Sequence, residues 1–72
     1  MNKIIYPGTF DPIHNGHINI AKRAITIFDE LEFVVAINVD KNPLFTIEER
    51  LELINESTKN IENISVSNFS GL

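Results

Sequence analysis

Apolar residues along this chain fall into three short runs separated by two stretches of helical spacing. Ile4-Ile5-Tyr6 is the first run and stops at Pro7-Gly8, the pattern of a buried strand that ends in a turn. Over residues 16–28, Ile18, Ala21, Ile25 and Phe28 recur at intervals of three and four, which predicts a helix with one apolar face. Ile20, Ala24 and Ile27 widen that stripe, so cover on more than one side is expected, with Lys22, Arg23 and Thr26 left on the remaining surface. Asp29-Glu30 marks the break.

Phe33-Val34-Val35-Ala36-Ile37, continued by Val39, is a near-continuous apolar run rich in β-branched residues. Such a run predicts a central strand of a parallel sheet, covered on both faces. Asp40-Lys41-Asn42-Pro43 reads as a loop. Thr46 with Glu49 is a capping-box signature, in which hydroxyl and carboxylate satisfy orphan backbone N–H groups reciprocally. Ile47, Leu51, Ile54 and Ile61 then form a second helical stripe, with Glu48, Glu52, Glu56 and Lys59 facing water. Ile64, Val66 and Phe69 mark a third strand before Ser70-Gly71-Leu72. The order is βαβαβ with short connections. Right-handed crossovers make this an α/β fold with a Rossmann-like parallel sheet, the N-terminal half of a doubly wound architecture. The expected organisation is one domain over residues 1–72, truncated after its third strand.

Composition removes several classes of function. The net charge of −4, from six basic and ten acidic residues, disfavours a nucleic-acid or anionic-membrane binder, which needs a basic face. Cysteine is absent, so neither a disulfide nor a thiolate metal site reinforces the core. No stretch reaches the roughly 20 apolar residues of a membrane span, and Met1-Asn2-Lys3 leads into too short an apolar run for a signal peptide. A cytoplasmic protein is expected. None of this opposes binding a single phosphorylated small molecule, for which local geometry outweighs global charge.

The chemistry concentrates in Gly8-Thr9-Phe10-Asp11-Pro12-Ile13-His14-Asn15-Gly16-His17, at the junction of the first strand and helix. Gly8 allows a tight exit and close approach of the backbone to a ligand. Thr9 offers a hydroxyl and a backbone N–H to a phosphate oxygen. Asp11-Pro12 reads as a turn, and Asn15 as the N-cap, which places His17 in the first helical turn. There the helix dipole already attracts phosphate, and an imidazole N–H can stabilise charge developing on the oxygens during phosphoryl or nucleotidyl transfer. A zinc reading of His14 and His17 needs a third ligand, for which Asp11 is the available residue. No resident metal site is expected here.

Tyr6 through His17 resembles the first signature of the nucleotidyltransferase superfamily that shares an HxGH motif. Within it, Lys41-Asn42-Pro43-Leu44-Phe45-Thr46-Ile47-Glu48-Glu49-Arg50 is similar to the lysine loop and helix start of the phosphopantetheine adenylyltransferase family of bacterial coenzyme A biosynthesis, with Phe69-Ser70-Gly71-Leu72 as a third match. The resemblance covers that family's N-terminal portion.

It implies adenylyl transfer from ATP, accompanied by Mg²⁺, to 4′-phosphopantetheine, giving dephospho-coenzyme A and pyrophosphate. It also implies a homo-oligomer. Thr9 would contact both the pantetheine phosphate and the nucleotide, and Phe10 would serve the nucleotide site through its backbone. His17 would bind ATP and stabilise the transition state at the α-phosphate, and Lys41 would bind the acceptor phosphate. His14 departs from the threonine more common in that family while keeping a hydrogen-bond donor. Two alternatives accompany this reading. One is a sister enzyme, a nicotinate mononucleotide adenylyltransferase or a cytidylyltransferase. The other is an inactive fragment or nucleotide-binding module, because the family's second ATP-binding signature and the arginines expected from its second half are absent from these 72 residues.

Overall fold

A computed structural model describes residues 2–37 and 42–70. Strand β1 (Lys3–Gly8) leads to helix α1 (Asn15–Ala24), strand β2 (Glu30–Ile37), helix α2 (Ile47–Thr58) and strand β3 (Ile64–Ser70). The strands form one sheet in the order β1-β2-β3, all parallel. The expected βαβαβ order and parallel sheet are therefore present. In the register, Gly8 pairs with Val35 and Ile37 with Ser70. The carboxyl ends of the strands thus share one edge, where open α/β sheets bind their ligands.

Both helices cover the same face. Ala21 of α1 and Ile54 of α2 join Leu31, Phe33 and Val35 of β2 in a single buried cluster. Those three β2 residues alternate along the strand and so point to one side. Two successive right-handed crossovers that step the same way across a sheet must place their helices on one face. This corrects the expectation that β2 is covered on both sides: Glu32, Val34 and Ala36 remain half-buried among the described residues. The opposite face carries the exposed Ile5 and Phe69 and a polar chain across all three strands. There Lys3 Nζ lies 2.7 Å from Glu32 Oε1, and Ser67 donates to the other carboxylate oxygen of Glu32.

The first helix is shorter and narrower than its stripe predicts. It ends at Ala24, where the N–H groups of Ile27 and Phe28 both fold back onto the Ala24 carbonyl. The Thr26 hydroxyl also donates to Arg23 O at 2.6 Å, the local competition by which threonine ends helices. Ile20 and Ile27 are consequently exposed, not covered. In α2 the predicted capping box forms as read: Glu49 N donates to Thr46 Oγ1 at 3.1 Å, and Thr46 N to Glu49 Oε1 at 2.9 Å. Ile54 is its one fully buried apolar residue, and Ile61 lies in the turn beyond it.

Two substitutions measure these contributions by urea unfolding. Phe33→Ala should cost about 3–5 kcal/mol, the range for deleting a buried phenyl ring. Thr46→Ala should cost about 1 kcal/mol, the value of an N-cap. Similar small losses for both would show that Phe33 is not central to the core.

Candidate functional site

The β1–α1 loop is built around an unusual backbone step. Phe10 adopts φ 46°, a left-handed conformation that is an outlier for a bulky residue. Burial holds it there: the ring is 2% exposed and packs edge-on against Phe33 (centroids 5.2 Å apart) and Tyr6 (5.3 Å). Gly8 makes room for this ring, because a Cβ at Gly8 would lie 3.0 Å from Phe10 Cζ. The glycine thus serves an inward packing need as well as the turn. With the Phe10 side chain committed to the core, what it can offer a ligand is its backbone, together with that of exposed Thr9.

Helix α1 opens with a reciprocal cap made by two histidines. Gly16 N donates to His14 Nδ1 at 3.1 Å, and His14 N donates to His17 Nδ1 at 3.0 Å. The N-cap is therefore His14, not Asn15, and Asn15 is the first helical residue. Asparagine is the stronger intrinsic cap, but the paired imidazoles satisfy two orphan donors at once. Gly16 is required by the same geometry: a Cβ there would meet His14 Cε1 at 2.9 Å and Nδ1 at 3.0 Å. The spacing His-x-Gly-His is thus a cap motif in its own right.

The cap also fixes proton placement. An Nδ1 that accepts a backbone N–H carries no proton, so each neutral ring keeps its proton on Nε2 as a free donor. The two rings lie 3.7 Å apart, and His17 rests edge-on against Phe10 at 4.9 Å. Burial, followed by the neighbouring His14, lowers the His17 pKa below its ordinary 6.5. The site therefore presents Nε2–H donors at a helix N-terminus whose first turn holds no acidic residue, an arrangement suited to an anion.

Two further side chains frame this loop in roles that the sequence did not reveal. Arg50 is 5% exposed and donates from Nη1 to Thr9 O at 3.1 Å and from Nε to Thr46 O at 3.4 Å. No carboxylate pairs with it among the described residues, so its positive charge sits beneath Thr9 and offsets the acidic net charge locally. The legible signal was its place on the buried stripe, four residues before Ile54. Asp11, read as a turn residue or a third zinc ligand, instead accepts from Leu44 N at 2.7 Å and Phe45 N at 2.8 Å. The structure brings Thr9, Phe10 and His17 together around one loop. Lys41 lies outside the described residues. A separate groove of about 250 Å³ along α2 is lined by Phe45, Glu49, Glu52, Leu53 and Glu56; its three carboxylates disfavour a phosphate there.

A parallel βαβαβ sheet with a histidine-capped loop at its carboxyl edge defines a Rossmann-like α/β domain. The family described as cytidylyltransferase-like matches residues 5–71, and the chain belongs to it. Over all 72 residues it is 56% identical to the phosphopantetheine adenylyltransferase of Clostridium kluyveri and 50% identical to that of Dictyoglomus turgidum, spanning 44% and 45% of those proteins. The chain thus covers less than half the length of the curated relatives it matches. Among solved structures, a NadR protein in complex with NR superimposes with a TM-score of 0.83 at 29% identity, over 96% of this chain and 20% of that one. A lipopolysaccharide core biosynthesis protein from Thermoplasma volcanium superimposes with a TM-score of 0.71 at 32% identity, over 100% of this chain and 59% of that one.

A lowered His17 pKa means that the unfolded chain takes up the proton first as pH falls. The stabilisation is complete above 6.5 and is lost as pH drops from there toward the folded-state value. Unfolding free energy measured between about pH 5 and 8 should rise with pH, more steeply than in His17→Gln. Equal slopes would remove His17 as the titrating group.

Proposed function

We propose that the full-length protein transfers the adenylyl group of MgATP to 4′-phosphopantetheine, giving dephospho-coenzyme A and pyrophosphate in coenzyme A biosynthesis. The observation that carries this reading is the reciprocal histidine cap, which leaves Nε2–H donors at the start of α1. The choice of acceptor is supported by identities of 50–56% to phosphopantetheine adenylyltransferases along the whole chain.

In this mechanism a phosphate oxygen of the acceptor attacks the α-phosphorus in line, and the bond to the bridging oxygen breaks to release pyrophosphate. No covalent enzyme intermediate is needed, so catalysis is positioning and charge stabilisation. The His17 Nε2–H donates to an α-phosphate oxygen as charge builds there. Thr9 and the Phe10 backbone hold the nucleotide, Thr9 also meets the acceptor phosphate, and Lys41 neutralises that phosphate. The Asp11 carboxylate is engaged by two amides, which leaves metal binding to the nucleotide: magnesium bound with ATP would supply charge neutralisation on its phosphates. The protein works in the cytoplasm as a homo-oligomer. A sister activity with a different acceptor draws support from the likeness to NadR; a panel of phosphorylated acceptors with ATP and CTP separates the two.

In the full-length enzyme, His17→Ala should lower kcat by about 10²–10³-fold, the usual loss for one transition-state donor, with ATP affinity little changed. Loss of binding as large as the loss of turnover would overturn the assignment.

A further inference from the structure

Burial of the Phe10 ring fixes where that residue sits, but not the orientation of the peptide that precedes it. Its φ of 46° is left-handed, an outlier for a bulky residue. Turning the Thr9–Phe10 peptide plane by half a circle about its two Cα atoms would leave both side chains in place. It would also bring φ to about −130°, on the side of the map that L-residues favour. Something other than the packed ring must therefore hold the plane as it is.

Arg50 is placed to do so. Its Nη1 donates to Thr9 O at 3.1 Å, and its Nε and backbone N both donate to Thr46 O, at 3.4 and 3.0 Å. Thr46 is in turn fixed by the capping box of α2, so the guanidinium reaches Thr9 from an anchored base. Nothing else donates to Thr9 O among the described residues. Bonds from a charged donor are about twice as strong as neutral ones, and Arg50 is buried, where solvent competes little.

The consequence falls on the other end of the same peptide. In a planar trans unit the C=O and N–H point in opposite directions. With Thr9 O drawn toward Arg50, the Phe10 N–H points away from it. That N–H donates to no group among the described residues, although Phe10 is buried, and a buried N–H without a partner is rare in folded proteins. The Phe10 ring touches His17, whose Nε2 is likewise left to donate. We infer that Arg50 is a positioning residue that holds the Thr9–Phe10 peptide in its left-handed setting, so that the Phe10 N–H is presented with the His17 imidazole to a phosphate oxygen of the nucleotide. This rests on the reading of the loop as the nucleotide site and is independent of the acceptor.

The test uses the full-length protein with Arg50→Met, which keeps much of the volume and removes the donors, and Arg50→Lys, which keeps a charged donor. In crystals grown without nucleotide, Phe10 φ should become negative in Arg50→Met and stay near 46° in Arg50→Lys. In calorimetric titrations with MgATP, Kd should rise about tenfold in Arg50→Met, the loss expected for one hydrogen bond to a charged group, and less than about threefold in Arg50→Lys. An unchanged φ in Arg50→Met would overturn the hold on the peptide. A turned peptide with unaltered MgATP affinity would overturn the role of the N–H. Equal losses in both variants would show that side-chain shape matters and not the donated bond, which also sinks the inference. Should Arg50→Met not fold, crystals of the unaltered protein soaked with MgATP decide: a phosphate oxygen within about 3.2 Å of Phe10 N supports the inference, and its absence there refutes it. If the unaltered protein binds MgATP but adenylates no phosphopantetheine, the proposed function fails while these measurements still decide the role of Arg50.

Discussion

Phe33 has no exposed surface, and two aromatic rings rest on it from one side: Tyr6 stacks at 5.3 Å, and Phe10 meets it edge-on at 5.2 Å. This contact joins the centre of the sheet to the loop that leaves β1. Aromatic pairs in such arrangements add about 0.5–1.5 kcal/mol beyond the area they bury, and here they also oppose the backbone cost of a left-handed phenylalanine. His17 leans on the same rings, so the imidazole is oriented from below by the core and from its own backbone by the cap. The hydrophobic core thus extends directly into the site.

Much of this was legible because it is local. The strands are apolar runs bounded by turn residues, and the second helix announces its start through Thr46 and Glu49. The cap of the first helix was misplaced by one residue. Asparagine is the expected cap by propensity, and nothing in a linear pattern shows that a histidine ring will fold back over Gly16. The overestimated cover of Ile20, Ile27 and β2 has a single origin: periodicity reveals which residues share a face, not whether anything lies against that face.

The roles of Asp11 and Arg50 were hidden for a different reason. Their bonds connect positions 33 to 41 residues apart and end on backbone atoms, which carry no sequence identity. Only the folded register, which brings the ends of β1 and β2 to one edge, makes them readable. The far face of the sheet shows the complementary case. Lys3, Glu32 and Ser67 are ordinary residues in isolation, yet pleating and register place them in a line. There a hydrogen bond from Lys3 and one from Ser67 hold the Glu32 carboxyl below its usual range.

The reciprocal cap also bears on what can be exchanged along this motif. At position 14 the structure uses a lone pair that receives the Gly16 N–H, not a donated proton. Threonine, the residue more common there in the adenylyltransferase family, supplies such a lone pair from its hydroxyl and is itself a favoured N-cap. Histidine and threonine at 14 are therefore synonyms for one backbone task. Under the proposed mechanism position 17 has no such synonym, because its ring accepts the His14 N–H on Nδ1 and would donate from Nε2 to the nucleotide. Divergence at the first histidine and constancy at the second are the evolutionary signature that this pair of bonds should leave.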